Sequence, residues 1–504
     1  MTTSDILPQA KDFSNLYSRE TLRRFPSPIK TTMAYFQDPN IVFLGAGMPP
    51  AELFPLKSLK VETHKPPFQD FKNLNPEKSS IFCDIQRDIE NLEIPMDVPL
   101  SRALQYGNSR GQKELLSFLK SHTEIFHTLN YKNWDIITTT GSTQAWDAAL
   151  RIFCNEGDTI LLEEYTYSSS YEAAMSQGIN CIPLSMDSKG IIVESLELLL
   201  ENWDEMYTGI PKPKLLYTIP TGQNPTGITL CDERKPLIYK LAQKHNLIII
   251  EDEPYYFLQM PAYNESGSTN EIDRFSSHAE FINSLAKSFL SLDTDGRVLR
   301  MDSVSKTFAP GCRFGWLTGS KPILDVFWDL HEVSIQSTCG FAQSIINGIL
   351  NRWGQEGYIN WLIKIRQEYT LKRNWCLDNL FKYLPMNIIR FASIPTAGMF
   401  FTIYIDISKH PLSKKMDTQQ IENYFYDKFV QNGVLLTMGS WFKVKNVATL
   451  TTGTVSTKAN VVDTTKNESN FVMFRGTYAA VDPAKMELGM KILGSVLKQE
   501  FGLD

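Results

Sequence analysis

The chain has 504 residues, which at roughly 150 per domain allows two to four domains and a large core without disulfide or metal staples. Apolar residues make up 42% and charged residues 21%, a globular and not a disordered composition. Lys and Arg number 50 against 56 Asp and Glu, a net charge of −6 that argues against a nucleic-acid partner.

No run reaches the ~18 apolar residues of a membrane helix. The start, Met1-Thr-Thr-Ser-Asp-Ile-Leu-Pro8, carries neither a charged nor an apolar leader region, so no secretory signal is expected. Cys83, Cys154, Cys181, Cys231, Cys312, Cys339 and Cys376 form no C-x-x-C pair. They read as reduced thiols of a cytoplasmic protein with no metal site.

From about residue 135 strands and helices alternate. Asp135–Thr140 reads as a strand and Ser142–Cys154 as a helix; Thr159–Glu163, Asn180–Leu184 and Lys214–Ile219 are strands, with a helix over Ser168–Gln177. Asp232–His245 follows as a helix with apolar residues at 237, 238, 241 and 242. Leu247–Ile250, Val298–Met301 and Phe314–Thr318 are further short strands. Apolar runs separated by helices predict βαβ units and a mostly parallel sheet with both faces covered. Three helices are expected next, over Ile323–Val333, Cys339–Arg352 and Tyr358–Tyr383. An α+β segment closes the chain: strands at Met399–Ile405, Val434–Thr437 and Phe471–Phe474, helices at Thr418–Asn432 and Pro483–Phe501. Residues 60–98, 262–289 and 443–470 read as insertions, with little periodicity or few large apolar residues, and 449–466 suits disorder.

Ligands of open α/β sheets collect at the carboxyl ends of the strands, and the residues there carry chemistry. Gly141-Ser142-Thr143-Gln144 opens a helix, where backbone N–H groups and the helix dipole favour an anion, although a plain N-cap reads the same way. Thr221-Gly-Gln-Asn224-Pro-Thr-Gly227 is denser in amides and hydroxyls than a turn requires. Asp252 ends an apolar strand, where a carboxylate needs a cation. Lys306 follows Ser303 and Ser305, with Arg313 seven residues on; a lysine beside another cation can act as a nucleophilic amine. Arg475 follows a strand and can grip a carboxylate through two hydrogen bonds. Anion site, carboxylate, lysine and two arginines together are what pyridoxal phosphate and an amino-acid substrate require.

With these residues in order, the sequence resembles the fold-type I pyridoxal-phosphate aminotransferases. It is most similar to the fungal aromatic-amino-acid and 2-aminoadipate enzymes, relatives of the kynurenine aminotransferases. The resemblance rests on Asn40-Ile-Val-Phe-Leu-Gly-Ala-Gly47-Met-Pro49, Leu104-Gln-Tyr106, Leu216 to Gly227, Ile250 to Gln259, Arg300-Met-Asp-Ser-Val-Ser-Lys306, Ala397-Gly-Met-Phe400 and Phe474-Arg-Gly-Thr-Tyr478. It implies an α/β fold: a three-layer, mostly parallel large domain over 60–351, and a smaller α+β domain formed by both chain ends, 31–59 and 352–504, after an arm at 1–30.

The resemblance also implies roles. Lys306 would hold the cofactor aldehyde and later move the α-proton, and Asp252 would pair with the ring nitrogen. Asn224 and Tyr255 would bond the ring oxygen, and Tyr167 would stack on the ring. Ser142, Thr143, Ser303, Ser305 and Arg313 would hold the phosphate, with Tyr106 reaching the phosphate of a second subunit, hence a homodimer with shared sites. Arg475, with Asn224, would bind the substrate carboxylate, and Lys30 and Gly47 would line the substrate. Partners would be amino acids and 2-oxo acids, with no nucleic acid and no membrane. The donors implied are phenylalanine, tyrosine and tryptophan, extending to 2-aminoadipate and kynurenine, with 2-oxoglutarate or an aromatic 2-oxo acid as acceptor in a ping-pong cycle; the residues do not rank the donors.

Rivals are fewer in support. A lyase or decarboxylase of the same fold shares Lys306, Asp252 and the phosphate set. Gly107-Asn-Ser109-Arg-Gly111 matches the G-x-S-x-G elbow of serine hydrolases, but Leu100–Tyr106 reads poorly as the strand the elbow needs. Ser303-Val-Ser-Lys306 matches S-x-x-K without its companion motifs. A transcription regulator would need a DNA-binding domain, and only about 30 residues precede the matched region.

Overall fold

A computed structural model describes residues 7–25, 40–42, 44–45, 47–68, 79–264, 274–446 and 470–503. Lys30 and the segment 449–466 lie outside the described residues. The chain divides into two compact units that interleave in sequence. The first takes Met1–Asn155, Ile248–Pro254 and Lys287–Lys364; the second takes Glu156–Leu247, Tyr255–Ala286 and Ile365–Asp504.

Fifteen strands are described: β1 Ser58–His64, β2 Ser80–Gln86, β3 Trp134–Thr139, β4 Thr159–Glu163, β5 Asn180–Leu184, β6 Met186–Asp187, β7 Gly190–Ile191, β8 Pro213–Thr218, β9 Ile248–Asp252, β10 Val298–Ser303, β11 Gly315–Ser320, β12 Ile389–Arg390, β13 Phe400–Asp406, β14 Thr437–Met438 and β15 Phe471–Thr477. The fold is α/β with a mixed, mostly parallel main sheet.

In the first unit the strands run β3-β11-β10-β9. β9 and β10 are parallel, in a register that sets Asp252 beside Met301. β11 is antiparallel to both neighbours, setting Gly315 beside Ser303 on one side and Thr139 on the other. Every residue of β9, β10 and β11 is buried, so their apolar stretches such as Ile248-Ile-Ile250 show no polar alternation. The helix Ser142–Phe153 supports the sheet with Ala145, Trp146, Ala149 and Phe153 buried.

Interior strands tolerate charge only when it is compensated. Arg300 is fully buried and meets Asp302 through Nε and Nη2 at 2.9 and 3.0 Å, with Glu251 at 3.5 Å from Nη1. Glu251 also accepts the backbone N–H groups of Phe289 and Leu290 at 2.6 and 3.2 Å. Strand alternation puts this network on one face of the sheet and Asp252, Met301 and Ser303 on the other.

In the second unit β4 lies between β8 and β5, parallel to both. A separate antiparallel sheet, ordered β12-β13-β15-β14, carries Arg475 at the register pair Thr402↔Arg475. Helix Thr418–Gln431 starts at a capping box between Asp417 and Gln420. It packs Phe429 edge-on to Phe474 of β15 at 5.2 Å and Phe425 against Phe501 of the helix Pro483–Phe501 at 6.0 Å.

Differences from the sequence reading are local. The helices expected over Cys339–Arg352 and Tyr358–Tyr383 form one run, Gly340–Tyr383, broken where Gly354 takes φ 65° and ψ 179°. Between residues 60 and 98, read as aperiodic, β1 and β2 pair antiparallel; Cys83 and Ile85 are buried on one face of β2, while Phe82 on the other face and Lys60 and Glu62 of β1 are exposed. The segment before Ser109 contains a short helix, Leu100–Ala103, and no strand, which removes the context a nucleophile elbow needs.

Candidate active site

The first unit gathers one set of residues at its strand ends. β3 ends at Thr139, and Gly141 turns the chain into the helix Ser142–Phe153 with φ 83°, a left-handed conformation that glycine adopts without strain. A Cβ there would lie 2.7 Å from Nη2 of Arg313. The turn is braced from behind: Gln144 Oε1 accepts the Thr140 N–H at 3.1 Å, and its Nε2 donates to Nε2 of His331 at 3.0 Å. Burial lowers the His331 pKa to about 4, so the ring is neutral and able to accept that bond.

β10 ends at Ser303, whose hydroxyl donates to Ser305 Oγ at 2.8 Å and accepts the Ser305 N–H at 3.1 Å. Arg313 sits at φ 45° and donates through Nη2 to the Thr140 carbonyl at 3.3 Å. Lys306 is half-buried, and loss of water, then the Arg313 charge, lowers its pKa from 10.5. Asp252 is 6% exposed at the end of β9. Ser142 Oγ is buried and has no hydrogen-bond partner among the described residues. Thr143 is exposed beside it, and Tyr106 is 58% exposed. Gly47 is exposed, with no atom within 4 Å of where a Cβ would stand.

The second unit gathers another set. Nη1 of Arg475 donates to Asn224 Oδ1 at 2.6 Å. Its guanidinium lies 4.4 Å from the Phe400 ring centre and 4.5 Å from that of Phe442. Tyr255 meets Phe400 edge-to-face at 5.9 Å. Burial lowers the Arg475 pKa, opposed by Tyr255 and Tyr167. Tyr167, half-buried, precedes the helix Ser168–Ser176 as its N-cap residue. Asn224 is held from behind, because the neighbouring Gln223 donates to Glu163 Oε2 at 3.0 Å and to the Tyr165 carbonyl. The loop carrying Asn224 meets the segment before β13 backbone to backbone. A Cβ on Gly222 would stand 2.5 Å from the Gly398 N, and one on Gly398 2.7 Å from the Gly222 carbonyl oxygen. Both motifs therefore need glycine for approach as much as for φ.

Phe442 and His331 escaped the sequence reading, which includes Gln144 in the motif after β3 without giving its side chain a role. Neither Phe442 nor His331 stands at the end of a strand, and an isolated aromatic carries no spacing signal.

Residues 100–480 match the model of the class I and II aminotransferases. An aromatic amino acid aminotransferase of Schizosaccharomyces pombe is 38% identical over 98% of this chain and 99% of its own length. The aromatic amino acid aminotransferase 2 of Saccharomyces cerevisiae is 30% identical over 92% and 91%. The crystal structure of the aminotransferase Aro8 from Candida albicans superposes with a TM-score of 0.90 at 42% identity, covering 98% of this chain and all of that one.

The chain belongs to the class I and II aminotransferase family. It is a transaminase, and its cofactor is pyridoxal phosphate. The first unit's residues fit that group. A phosphate accepts hydrogen bonds and carries negative charge. The turn at Gly141 offers a helix N-terminus, the unpartnered Ser142 hydroxyl, the Ser303 and Ser305 hydroxyls, and Arg313. A lysine with a lowered pKa stands three residues past Ser303.

Proposed function

We propose that this aminotransferase takes the amino group of phenylalanine, tyrosine or tryptophan, with 2-aminoadipate and kynurenine as further donors, and passes it to 2-oxoglutarate or an aromatic 2-oxo acid. The half-buried Lys306, its ammonium disfavoured by lost hydration and then by the Arg313 charge, carries the amino-transfer part of this reading. The names of the fungal relatives support the aromatic donor, among them an L-tyrosine:2-oxoglutarate aminotransferase of Serpula lacrymans at 30% identity.

In this reading Ser142, Thr143, Ser303, Ser305 and Arg313 hold the cofactor phosphate. Asp252 would pair with the ring nitrogen, Asn224 and Tyr255 would bond the ring oxygen, and Tyr167 would cover the ring face. When bound, pyridoxal phosphate draws electrons away from the substrate α-carbon. Lys306 Nζ, neutral more readily than an exposed lysine, takes the α-proton and returns it. Arg475 holds the substrate carboxylate with one edge while Asn224 fixes the other. The exposed Tyr106 supports a homodimer in which it serves the neighbouring subunit's phosphate. A cytoplasmic location belongs to the same proposal, as does the division into an arm (1–30), a large domain (60–351) and a small domain (31–59 with 352–504). Among the described residues no helix is long and apolar enough to cross a membrane.

Borohydride reduction of the purified protein followed by peptide mapping tests the mechanism: the adduct is expected on Lys306, and an adduct elsewhere overturns it. Adding phenylalanine to the unreduced holoenzyme should bleach the cofactor's visible band and release phenylpyruvate, with 2-oxoglutarate restoring the band. Carbon dioxide or a free amine as product would instead support a decarboxylase or lyase.

A further inference from the structure

Arg475 is half-buried, and the one polar partner of its side chain among the described residues, Asn224, is neutral. Two aromatic rings take the place of much of its water. Phe400 belongs to β13, but Phe442 reaches the guanidinium from a different direction in the chain. It follows β14 and the single turn Gly439–Trp441, and it is 4% exposed.

Its placement is fixed on three sides. The Thr166 N–H donates to the Phe442 carbonyl at 3.0 Å, and the Val444 N–H to the Glu164 carbonyl at 2.8 Å, so 442–444 lies as an antiparallel rung along 164–166. Tyr165 and Lys443 form the bridge between those bonds. The ring packs in a buried cluster with Tyr165 and Met473, Met473 being two residues before Arg475 on β15. Thr437 anchors the start of the segment by donating to the Arg475 carbonyl at 3.2 Å. An aromatic ring held this firmly against a guanidinium does two things. Its quadrupole attracts the cation to a set position, and its bulk excludes water that would compete for the same N–H groups.

We propose that Phe442 is a positioning residue for substrate carboxylate recognition: it holds the Arg475 guanidinium dry and in orientation, and so sets how strongly the enzyme prefers a carboxylate to a neutral group of the same shape. Because its backbone is bonded to Thr166, next to Tyr167, the same segment keeps Arg475 and Tyr167 in constant relation. The proposal deepens the functional reading above and rests on Arg475 as the carboxylate-binding residue.

The test uses holoenzyme and two competitive ligands without an amino group, 3-phenylpropanoate and its uncharged amide. The inhibition constant of the amide divided by that of the carboxylate measures carboxylate preference. Phe442→Leu is expected to lower that ratio on the order of tenfold, the scale of a desolvated cation–π contact. KM for phenylalanine should rise while kcat changes little, because bound substrate and transition state both keep the carboxylate. Phe442→Tyr, which keeps the ring, should hold the ratio within about twofold of the parent. The cofactor band should be the same in all three proteins. If Phe442→Leu fails to give soluble holoenzyme, Phe442→Met, unbranched and similar in volume, takes its place with the same expectation. Arg475→Lys is run alongside. A ratio that collapses in Arg475→Lys but not in Phe442→Leu overturns the proposal and leaves the reading of Arg475 standing. A ratio unmoved in both overturns that reading as well.

Discussion

Two cations in this molecule lose water and end up chemically opposite. Lys306, in the first unit, is half-buried near a second cation, Arg313, and its pKa falls. Arg475, in the second unit, is also lowered by burial, yet it lies against Phe400 and Phe442 and donates to Asn224. Desolvation pushes both toward neutrality, but only an ammonium starts close enough to neutral pH for the push to matter; a guanidinium stays charged in proteins. Under the proposed function, the same physical pressure prepares a base at one place and sharpens a carboxylate receptor at the other. A third cation, Arg300, completes the contrast: fully buried, it is compensated by Asp302 and Glu251 and is structural.

The contrast breaks most visibly at Lys306. Lys306→Ala should lower kcat by about 10²–10⁴-fold, the usual reach of a positioned general base, with the fold intact by circular dichroism. An activity within tenfold of the parent would remove Lys306 from the chemistry. Arg300→Met is expected to act on stability instead. It leaves Glu251 and Asp302 buried without their cation, a loss of about 3–5 kcal/mol read from the urea midpoint. KM for phenylalanine in the folded fraction should be unaffected, and a change in KM without loss of stability would make Arg300 part of the receptor. Arg475→Ala should lower kcat/KM by about 2–5 kcal/mol with the midpoint nearly unmoved. Equal loss with the neutral amide ligand would show that the residue supports packing and not the carboxylate.

How far the sequence could be read follows from the same residues. Strands such as Thr159–Glu163, buried throughout, and Asn180–Leu184, buried at Cys181, Ile182 and Leu184, are bounded by helices, so their apolar residues announced them to the residue. Asp252 stood out because a carboxylate closing an apolar strand is costly without a partner; Lys306 stood out by its hydroxyl neighbours three residues past β10, and Arg475 by a cation in an apolar strand that proved to run on through it to Thr477. β1 and β2 were passed over although they alternate, Leu59 and Val61 against the exposed Lys60 and Glu62, and buried Cys83 and Ile85 against exposed Phe82; the surrounding Pro- and charge-rich sequence masked so short a pattern. Phe442 was invisible for a different reason. Its importance comes from a pairing with Arg475, 33 positions later in the sequence, and nothing in Gly439-Ser-Trp-Phe442 points there. The antiparallel direction of β11 was equally hidden, because a strand's own residues do not state which way its neighbours run.

The smallest expected effect separates the two causes acting on Lys306. Burial is the larger cause and the Arg313 charge the smaller, so Arg313→Gln in the cofactor-free protein should move the lysine's titration upward without restoring the ordinary value. Labelling of Lys306 by an amine-reactive acylating reagent, followed against pH by peptide mass, reads that titration directly. The linkage has a definite sign. The folded lysine binds its proton less tightly than the unfolded one, whose pKa is near 10.5. Below the lowered folded pKa, protonation therefore costs folding free energy in full, and that cost is lifted as pH rises toward 10.5. The parent apoprotein should gain stability across that interval, and Arg313→Gln should gain less. If the substitution leaves both the titration and the stability slope unmoved, burial alone lowers the Lys306 pKa. The neighbouring cation would then act on the phosphate and not on the base.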